Sequence, residues 1–222
     1  MRNPDRLRVT WRMAQWLLHT VFWIASGIRY FGKQNIPLTG GFILASNHQS
    51  NFDPPLVGTG CRREITFAAK KELFKNPLFS KLITYYNAIP VRRSGSDKEV
   101  VIRLLKRLAE GEAIIMFPEG TRYLDGKLHP PKAGIGLIAI KSGKPIVPVY
   151  IDGTARMKEQ FTKRETRITY GKMITAEEIA QVAAESSEPY QAVAWFVMNR
   201  IAETGSAEPP KPTDKVLTPE ES

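Results

Sequence analysis

The sequence predicts an α/β fold: a single domain with a mixed, mostly parallel sheet flanked by helices, and an amphipathic N-terminal helix at a membrane interface. Three observations carry this. Short apolar runs alternate with helical patterns between residues 42 and 150, the signature of strands joined by crossover helices. Apolar residues make up 42% of the 222, enough for one ordinary core. The first 30 residues show a helical period of their own.

Arg12 and Arg29 enclose 16 uncharged residues. As helix these extend about 24 Å, short of the roughly 30 Å hydrocarbon core. Arg8, Arg12, Gln15, His19, Ser26 and Arg29 share one stripe, interrupted by Phe22. Val9, Trp16, Leu17, Val21, Trp23, Ile24 and Ile28 take the opposite face. A wide apolar face with a basic stripe describes a helix lying in the membrane interface over residues 8–31. No small-residue cleavage site follows it cleanly, which argues against a signal peptide. Packing on the protein's own core would produce the same pattern.

The remaining elements follow in order. "FILAS" (42–46) and "ITFAA" (65–69) read as buried strands, and "AIPV" (88–91) as a short one whose proline places it at an edge. Ser96 and Glu99 form a capping box ahead of the apolar face Val100, Val101, Leu104, Leu105 and Leu108, with Gly111 as the stop. "AIIMF" (113–117) is a strand ending at Pro118. "AGIGLIAIKSG" (133–143) reads as a helix capped by Gly143. Strands follow at 145–151 and 167–171. Thr175 and Glu178 open a helical region that Pro189 divides, running to about Glu203. The organisation is thus a membrane-associating segment (1–35), an α/β domain (36–203) and a disordered tail (204–222) with four prolines.

Net charge is +10, from 32 Lys+Arg against 22 Asp+Glu. It points to an anionic partner: a phosphate-bearing substrate, an acidic lipid surface or nucleic acid. Nucleic acid fits poorly, because the aromatics cluster in apolar helices and are not interleaved with basic residues. The single Cys61 excludes an intrachain disulfide and fits a reducing compartment.

Two segments that follow strands carry candidate chemistry. In "NHQSNFD" (47–53), Asp53 precedes Pro54 and is read as the N-cap of a helix. A tight loop would fold its carboxylate onto His48, leaving the other ring nitrogen free to take a proton. A polar loop with a helix cap explains the same two residues. No G-x-S-x-G elbow is present, so the proton would come from a substrate hydroxyl. In "FPEGTR" (117–122), Gly120 allows close backbone approach, and Arg122 offers a planar fork suited to phosphate. Glu119 would orient Arg122 or meet a substrate hydroxyl. "IPVRR" brings Arg92 and Arg93 to a third strand end.

With these residues, the chain resembles the glycerolipid acyltransferases, in their 1-acylglycerol-3-phosphate acyltransferase branch. "NHQSNFD" is similar to the family's N-H-x4-D block, "NAIPVRR" to its arginine block, "FPEGTR" to F-P-E-G-[ST]-R and "IVPVYI" to V-P-V, all in the family's order. The resemblance implies transfer of an acyl group from acyl-CoA or acyl-ACP to the free hydroxyl of lysophosphatidic acid. It needs no cofactor and no metal, and it takes place at the cytoplasmic face of a membrane with anionic lipid. By position, it implies His48 as general base and Asp53 as its orienting partner. Arg93, Glu119, Gly120, Thr121 and Arg122 fall in the acceptor phosphate site. Asn47 steadies the loop and counts among the substrate-binding set, Pro148 shapes a pocket wall, and Lys70 or Lys71 adds positive charge. Asn87 and Tyr123 stand where the family has glycine and a small residue, which implies a narrowed or re-aimed acceptor pocket. "LFKNPLFSKLITYY" (73–86) mixes apolar and basic residues and is read as an acyl groove, a lipid contact or ordinary core. Other lyso-acceptors remain open. Two rivals are an acyl thioesterase, for which the phosphate clamp would be idle, and a non-enzymatic lipid-binding module.

Overall fold

The computed structural model describes residues 7–91, 98–155 and 166–211. Among them, seven strands form one sheet in the order β1-β7-β6-β2-β5-β3-β4. These are β1 (Arg29–Phe31), β2 (Phe42–Ser46), β3 (Ile65–Lys70), β4 (Ala88–Val91), β5 (Ala113–Met116), β6 (Ile146–Asp152) and β7 (Arg167–Tyr170). From β6 to β4 all neighbours are parallel, while β7 pairs antiparallel with β6 and β1 shares the direction of β7. The central strands are buried on both faces, which is why 42–46 and 113–116 read as unbroken apolar runs. Strand β4 lies at the edge, where Pro90 costs no ladder bond.

Helices cover both faces. On one side α4 (Lys98–Ala109), α5 (Gly134–Ser142), α6 (Ala176–Ala184) and α7 (Pro189–Gly205) pack Leu104, Leu108, Ile138, Val197 and Met198 onto Ile43 and Ile114. The capping box of α6 forms as expected, with Thr175 accepting from the Glu178 backbone and the Glu178 carboxylate accepting from the Thr175 N–H. Gly143 caps α5 in the left-handed conformation. On the other side α1 (Val9–Ser26) and α2 (Asp53–Gly60) cover Phe42, Leu44, Ile115 and Val149.

Several boundaries differ from expectation. The N-terminal helix stops at Ser26 because Gly27 turns left-handed (φ 60°). Residues 29–31 then form β1, which pairs in parallel with β7, so the segment expected to be helix alone also supplies an edge strand. Ile28 is buried, not on the outward apolar face. At the other end α7 reaches Gly205, Ser206 caps it and Ala207 packs on the core, so ordered chain extends past residue 204. Ser96 of the expected capping box lies outside the described residues, as do 212–222 of the tail.

Of the expected polar stripe, Arg8, Gln15 and Ser26 face the protein, whereas Arg12 is exposed beside the outward apolar face and Arg29 lies in β1. Gln15 donates to the carbonyls of Gly58 and Cys61, both at 2.7 Å. Arg8 pairs with buried Glu64 at 2.9 Å. Trp11, Phe22 and Ser26 are buried on that face. The inward polarity has a local cause: α1 rests on the C-terminal end of α2, whose last carbonyls need donors. Tyr30 and Tyr170 hydroxyls supply two more, to Leu56 and Val57. A Cβ on Gly60 would sit 2.3 Å from the Tyr170 hydroxyl, so this seat requires glycine. The apolar face of α1 is left outward, with Trp16 72% exposed and Val9, Met13, Leu17, Trp23 and Ile24 beside it. Among the described residues no helix is long and apolar enough to cross a membrane.

Candidate active site

Each candidate segment among the described residues follows the C-terminal end of a parallel strand, so the sheet order places these along one rim. His48 follows β2, "FPEGTR" follows β5, and Lys70 ends β3. Asn47 fixes where the loop leaves β2. Its amide donates to the Ile151 carbonyl at 2.9 Å and accepts from the Ile151 N–H at 2.7 Å, bracing β2 on β6. Both amide groups are engaged and the residue is buried. Asn47 therefore holds the loop and is not a substrate contact.

The loop closes on Asp53. Its Oδ2 lies 2.8 Å from His48 Nδ1 and accepts the backbone N–H groups of Gln49 and Ser50, each at 2.7 Å. Asp53 is wholly buried, whereas the His48 side chain is 16% exposed. All three donors meet Oδ2, while Oδ1 is buried without a hydrogen-bond partner, so the carboxylate serves the loop and makes no helix cap. The helix accordingly begins at Asp53 itself, with Phe52 at the N-cap position and no side-chain cap bond, in place of the expected Asp53 cap. An anionic acceptor at Nδ1 places the proton on that nitrogen and turns the lone pair of Nε2 outward. Phe117 stacks on the imidazole, with centroids 3.9 Å apart and planes at 19°, and so limits ring rotation.

Glu119 has a different place from the expected one. It is 1% exposed. Oε2 accepts the His48 N–H at 2.9 Å and Oε1 the His129 N–H at 3.2 Å. It is thus a bracket between the histidine loop and the segment after "FPEGTR", not a contact for a substrate hydroxyl. Burial pushes its carboxyl up to about 8, against the pull of the His129 and His48 N–H groups, and Asp125 and Asp53 push the same way as burial. A second tie runs from the Tyr123 N–H to the His48 carbonyl at 2.9 Å.

Gly120 adopts φ 71°, and the space its side chain would fill is taken by Lys132, whose Cδ would lie 2.9 Å away. The left-handed φ is what favours glycine there, since the flexible Lys132 side chain can shift. Thr121 and Arg122 are half-buried on the same turn, Lys70 is half-buried and Lys71 exposed. Arg92 and Arg93 lie outside the described residues. Tyr123 does not narrow a pocket. It is buried, stacked on His129 with centroids 3.6 Å apart, and His129 Nε2 lies 2.9 Å from Asp125. Pro148 sits within β6 opposite Ala45, below the rim, and lines a cavity beside Gly171 and Thr204. Lys132, His129 and Asp125, and the stacking roles of Phe117 and Tyr123, were not singled out from sequence. Their only signal was proximity to "FPEGTR", since loop contacts carry no period.

Asn87 has φ 64°, so asparagine sustains there the left-handed turn that glycine would give. Its amide donates to Glu64 at 3.3 Å, at the opposite end of β3 and β4 from the rim, so it does not shape acceptor fit.

Comparison with known proteins agrees with this geometry. The family profile described as Acyltransferase matches residues 27–152, the stretch containing His48, Asp53 and "FPEGTR". A 1-acyl-sn-glycerol-3-phosphate acyltransferase of Bacillus subtilis is 29% identical over 187 residues, covering 84% of this chain and 92% of its own. The enzyme of that name from Streptococcus pneumoniae is 27% identical over 178 residues, covering 78% of this chain and 65% of its own length. The crystal structure of the 1-acyl-sn-glycerophosphate (LPA) acyltransferase PlsC from Thermotoga maritima superposes with a TM-score of 0.67 at 30% identity, over 91% of this chain and 80% of that one. The profile spans more than half of the chain and includes the whole histidine–aspartate loop, and on that ground the chain belongs to the acyltransferase family.

Proposed function

We propose that this enzyme transfers an acyl group from a thioester, on CoA or acyl carrier protein, to the free hydroxyl of lysophosphatidic acid, giving phosphatidic acid at the cytoplasmic surface of a membrane. The observation that carries the reading is the 2.8 Å contact from His48 Nδ1 to a fully buried aspartate, beside an arginine-bearing turn and within an acyltransferase family match. His48 Nε2 takes the hydroxyl proton as the oxygen attacks the thioester carbonyl. The C–O bond forms, the tetrahedral intermediate collapses, the C–S bond breaks, and the imidazolium returns the proton to the departing thiolate. Asp53 stabilises the imidazolium between those two steps. Arg122 and Arg93, with Thr121, the backbone at Gly120 and Lys70 or Lys71, take the acceptor phosphate.

The test is thiol release from acyl-CoA and acyl-ACP by detergent-purified protein across lysolipids and glycerol-3-phosphate, with product masses recorded. Phosphatidic acid formed only with lysophosphatidic acid is the expected result. Thiol release that ignores every acceptor would make the protein a thioesterase instead. Arg122→Ala and Arg93→Ala are expected to raise KM for lysophosphatidic acid more than for the donor, by roughly 10- to 100-fold if each removes about 1.5–3 kcal/mol of charge-assisted bonding. Arg122→Lys should recover only part, since a point charge does not reproduce a bidentate fork. Equal rises for both substrates would reassign these arginines.

The outward face of α1 supports seating on lipid, because among the described residues its inward polarity leaves Trp16, Leu17 and Ile24 exposed on the outer side. Truncation before residue 32 would also remove β1, so substitution is the cleaner probe. Trp16→Ser with Leu17→Ser is expected to weaken vesicle binding by on the order of 10-fold or more, with activity on detergent-dispersed acceptor largely kept. Protease protection of tags at residues 1 and 222 on sealed vesicles checks the topology: both tags should be cleaved from the same side.

A further inference from the structure

A second apolar element stands outside the core and has no part in the chemistry above. The chain leaves β3 through a short 3-10 turn, Lys71–Phe74, into α3 (Pro77–Tyr85). None of the nine residues of α3 is buried. Leu78 is 80% exposed, and Phe79, Leu82, Tyr85 and, on the preceding turn, Leu73 are exposed as well. Leu78, Leu82 and Tyr85 stand four and then three apart, so they form one stripe.

A nine-residue helix is marginal in water on its own. This one is held by local chemistry. Asn76 accepts the Phe79 N–H at 3.0 Å as N-cap, and Pro77 occupies the first helical position. Its C-terminal end is tied to α1: the Thr10 and Tyr85 hydroxyls are 2.6 Å apart, and Arg8 donates to the Tyr85 carbonyl at 2.7 Å. Capping and these ties fix the helix without burying its apolar side chains. Among the described residues nothing buries those side chains, so they meet water unless a further surface covers them.

Two further observations select the cover. The first is continuity. Tyr86, at the end of α3, contacts Trp11 with centroids 5.4 Å apart and lines an apolar groove with Met13, Trp16 and Leu17 of α1. The C-terminal end of α3 therefore abuts the outward groove of α1, through Tyr86 in the groove and Tyr85 beside Thr10. The second is charge. Residues 70–85 contain four lysines and one acidic residue, Glu72. Lys75 and Lys81 are exposed, and Lys81 lies three residues from Leu78 and four from Tyr85, on the same stripe. Apolar side chains to insert, a tyrosine near the boundary and lysines able to extend toward headgroups fit an anionic bilayer surface.

We infer that α3 and its preceding turn are a second membrane-docking element, which with α1 makes a two-helix footprint for an anionic lipid leaflet. This rests on the interfacial seating of α1 proposed above. Two helices fix orientation where one permits rolling about its axis, and the end of β3 that leads into this element is part of the rim carrying His48. The footprint thus sets which side of the rim meets the lipid.

The test attaches an environment-sensitive fluorophore to a single introduced cysteine. Native Cys61 does not compete, because it is buried and burial pushes its thiol up to about 12. Full-length Leu78→Cys and Leu82→Cys proteins are labelled, with Leu17→Cys on α1 and Ile102→Cys on exposed α4 as references, and mixed with phosphatidylglycerol–phosphatidylcholine vesicles. The α3 and α1 positions should brighten and shift to the blue, with quenching by lipids brominated on the acyl chain, while position 102 stays unchanged. Lys75→Ala and Lys81→Ala should each weaken vesicle binding about five-fold at low salt, and both effects should shrink in high salt. Since α3 buries no side chain, detergent-phase activity and Tm should be kept in all four. If position 17 responds and positions 78 and 82 do not, the inference fails and the α1 reading stands. If none responds, both fail. Brightening at 78 with an acidic carrier protein but not with vesicles, or at high protein concentration without vesicles, overturns it in favour of a protein partner or a second copy.

Discussion

His48→Ala is expected to lower acyl transfer by roughly 10²- to 10⁴-fold, the range for removing a positioned general base, while leaving the fold intact. The ties that place the loop are to the His48 backbone, not its ring: the N–H to Glu119 and the carbonyl from Tyr123. Alanine keeps both and loses only the stack on Phe117 and the bond to Asp53. KM for either substrate should change little, because the ring acts on the proton in flight. Purified His48→Ala protein with near-normal phosphatidic acid formation would end the general-base mechanism. Asp53→Asn gives a finer result. Three donors converge on Oδ2, so an asparagine would place its carbonyl oxygen there and keep the ring orientation and tautomer. What disappears is the negative charge facing the imidazolium. Loss of turnover on the order of 10²-fold with an unchanged loop would then report charge alone. Asp53→Ala would instead leave two backbone N–H groups and Nδ1 without their acceptor, at roughly 1–3 kcal/mol for each buried donor, and should lower Tm as well.

The legible parts of this protein were those with a period or a fixed local chemistry. Strands 42–46 and 113–116 announced themselves because strands covered on both faces are apolar throughout. The Thr175–Glu178 box and Gly143 could be read because caps work over three or four residues. The His48–Asp53 pair was reachable because five positions fit one tight loop. Misreadings came where a residue's partner is distant in sequence. Asp53 has the composition of a cap and Asn47 that of a substrate contact, but Gln49 and Ser50 claim the first and Ile151, 104 positions away, claims the second. The stripe on α1 was read in part and its direction was not visible, since nothing in the period says that α2 ends beneath it with carbonyls to satisfy. Strand β1 was hidden for the same reason: its partner is Arg167–Thr169, and three residues are too few to show alternation.

Glu119→Ala should be the most damaging change outside the dyad, and it should act on stability and activity together. Its two carboxylate oxygens are the acceptors for the buried N–H groups of His48 and His129. Removing both is expected to cost roughly 2–6 kcal/mol, from about 1–3 for each orphaned donor. For a domain of this size that is a Tm drop on the order of 10 °C. The histidine loop loses one of its two backbone ties, so turnover should fall even at temperatures where the variant remains folded. Glu119→Gln separates the charge from the bracket. An amide has one accepting oxygen, so one of the two N–H groups meets an NH2 and loses its acceptor, and near neutral pH the variant should lie between alanine and wild type. The pH dependence has a definite sign. The Glu119 carboxyl is pushed up to about 8 in the folded protein, from 4.5, so between those values the folded state holds more protons than the unfolded state. Its contribution to stability is fully present below about 4.5 and is lost as pH rises through about 8. Wild-type Tm should therefore decline from pH 6 to 9 more steeply than that of Glu119→Gln, which has no proton to release there. Parallel Tm profiles for the two proteins across that range would show that the buried carboxyl does not titrate there, and would leave the two hydrogen bonds as the whole of its role.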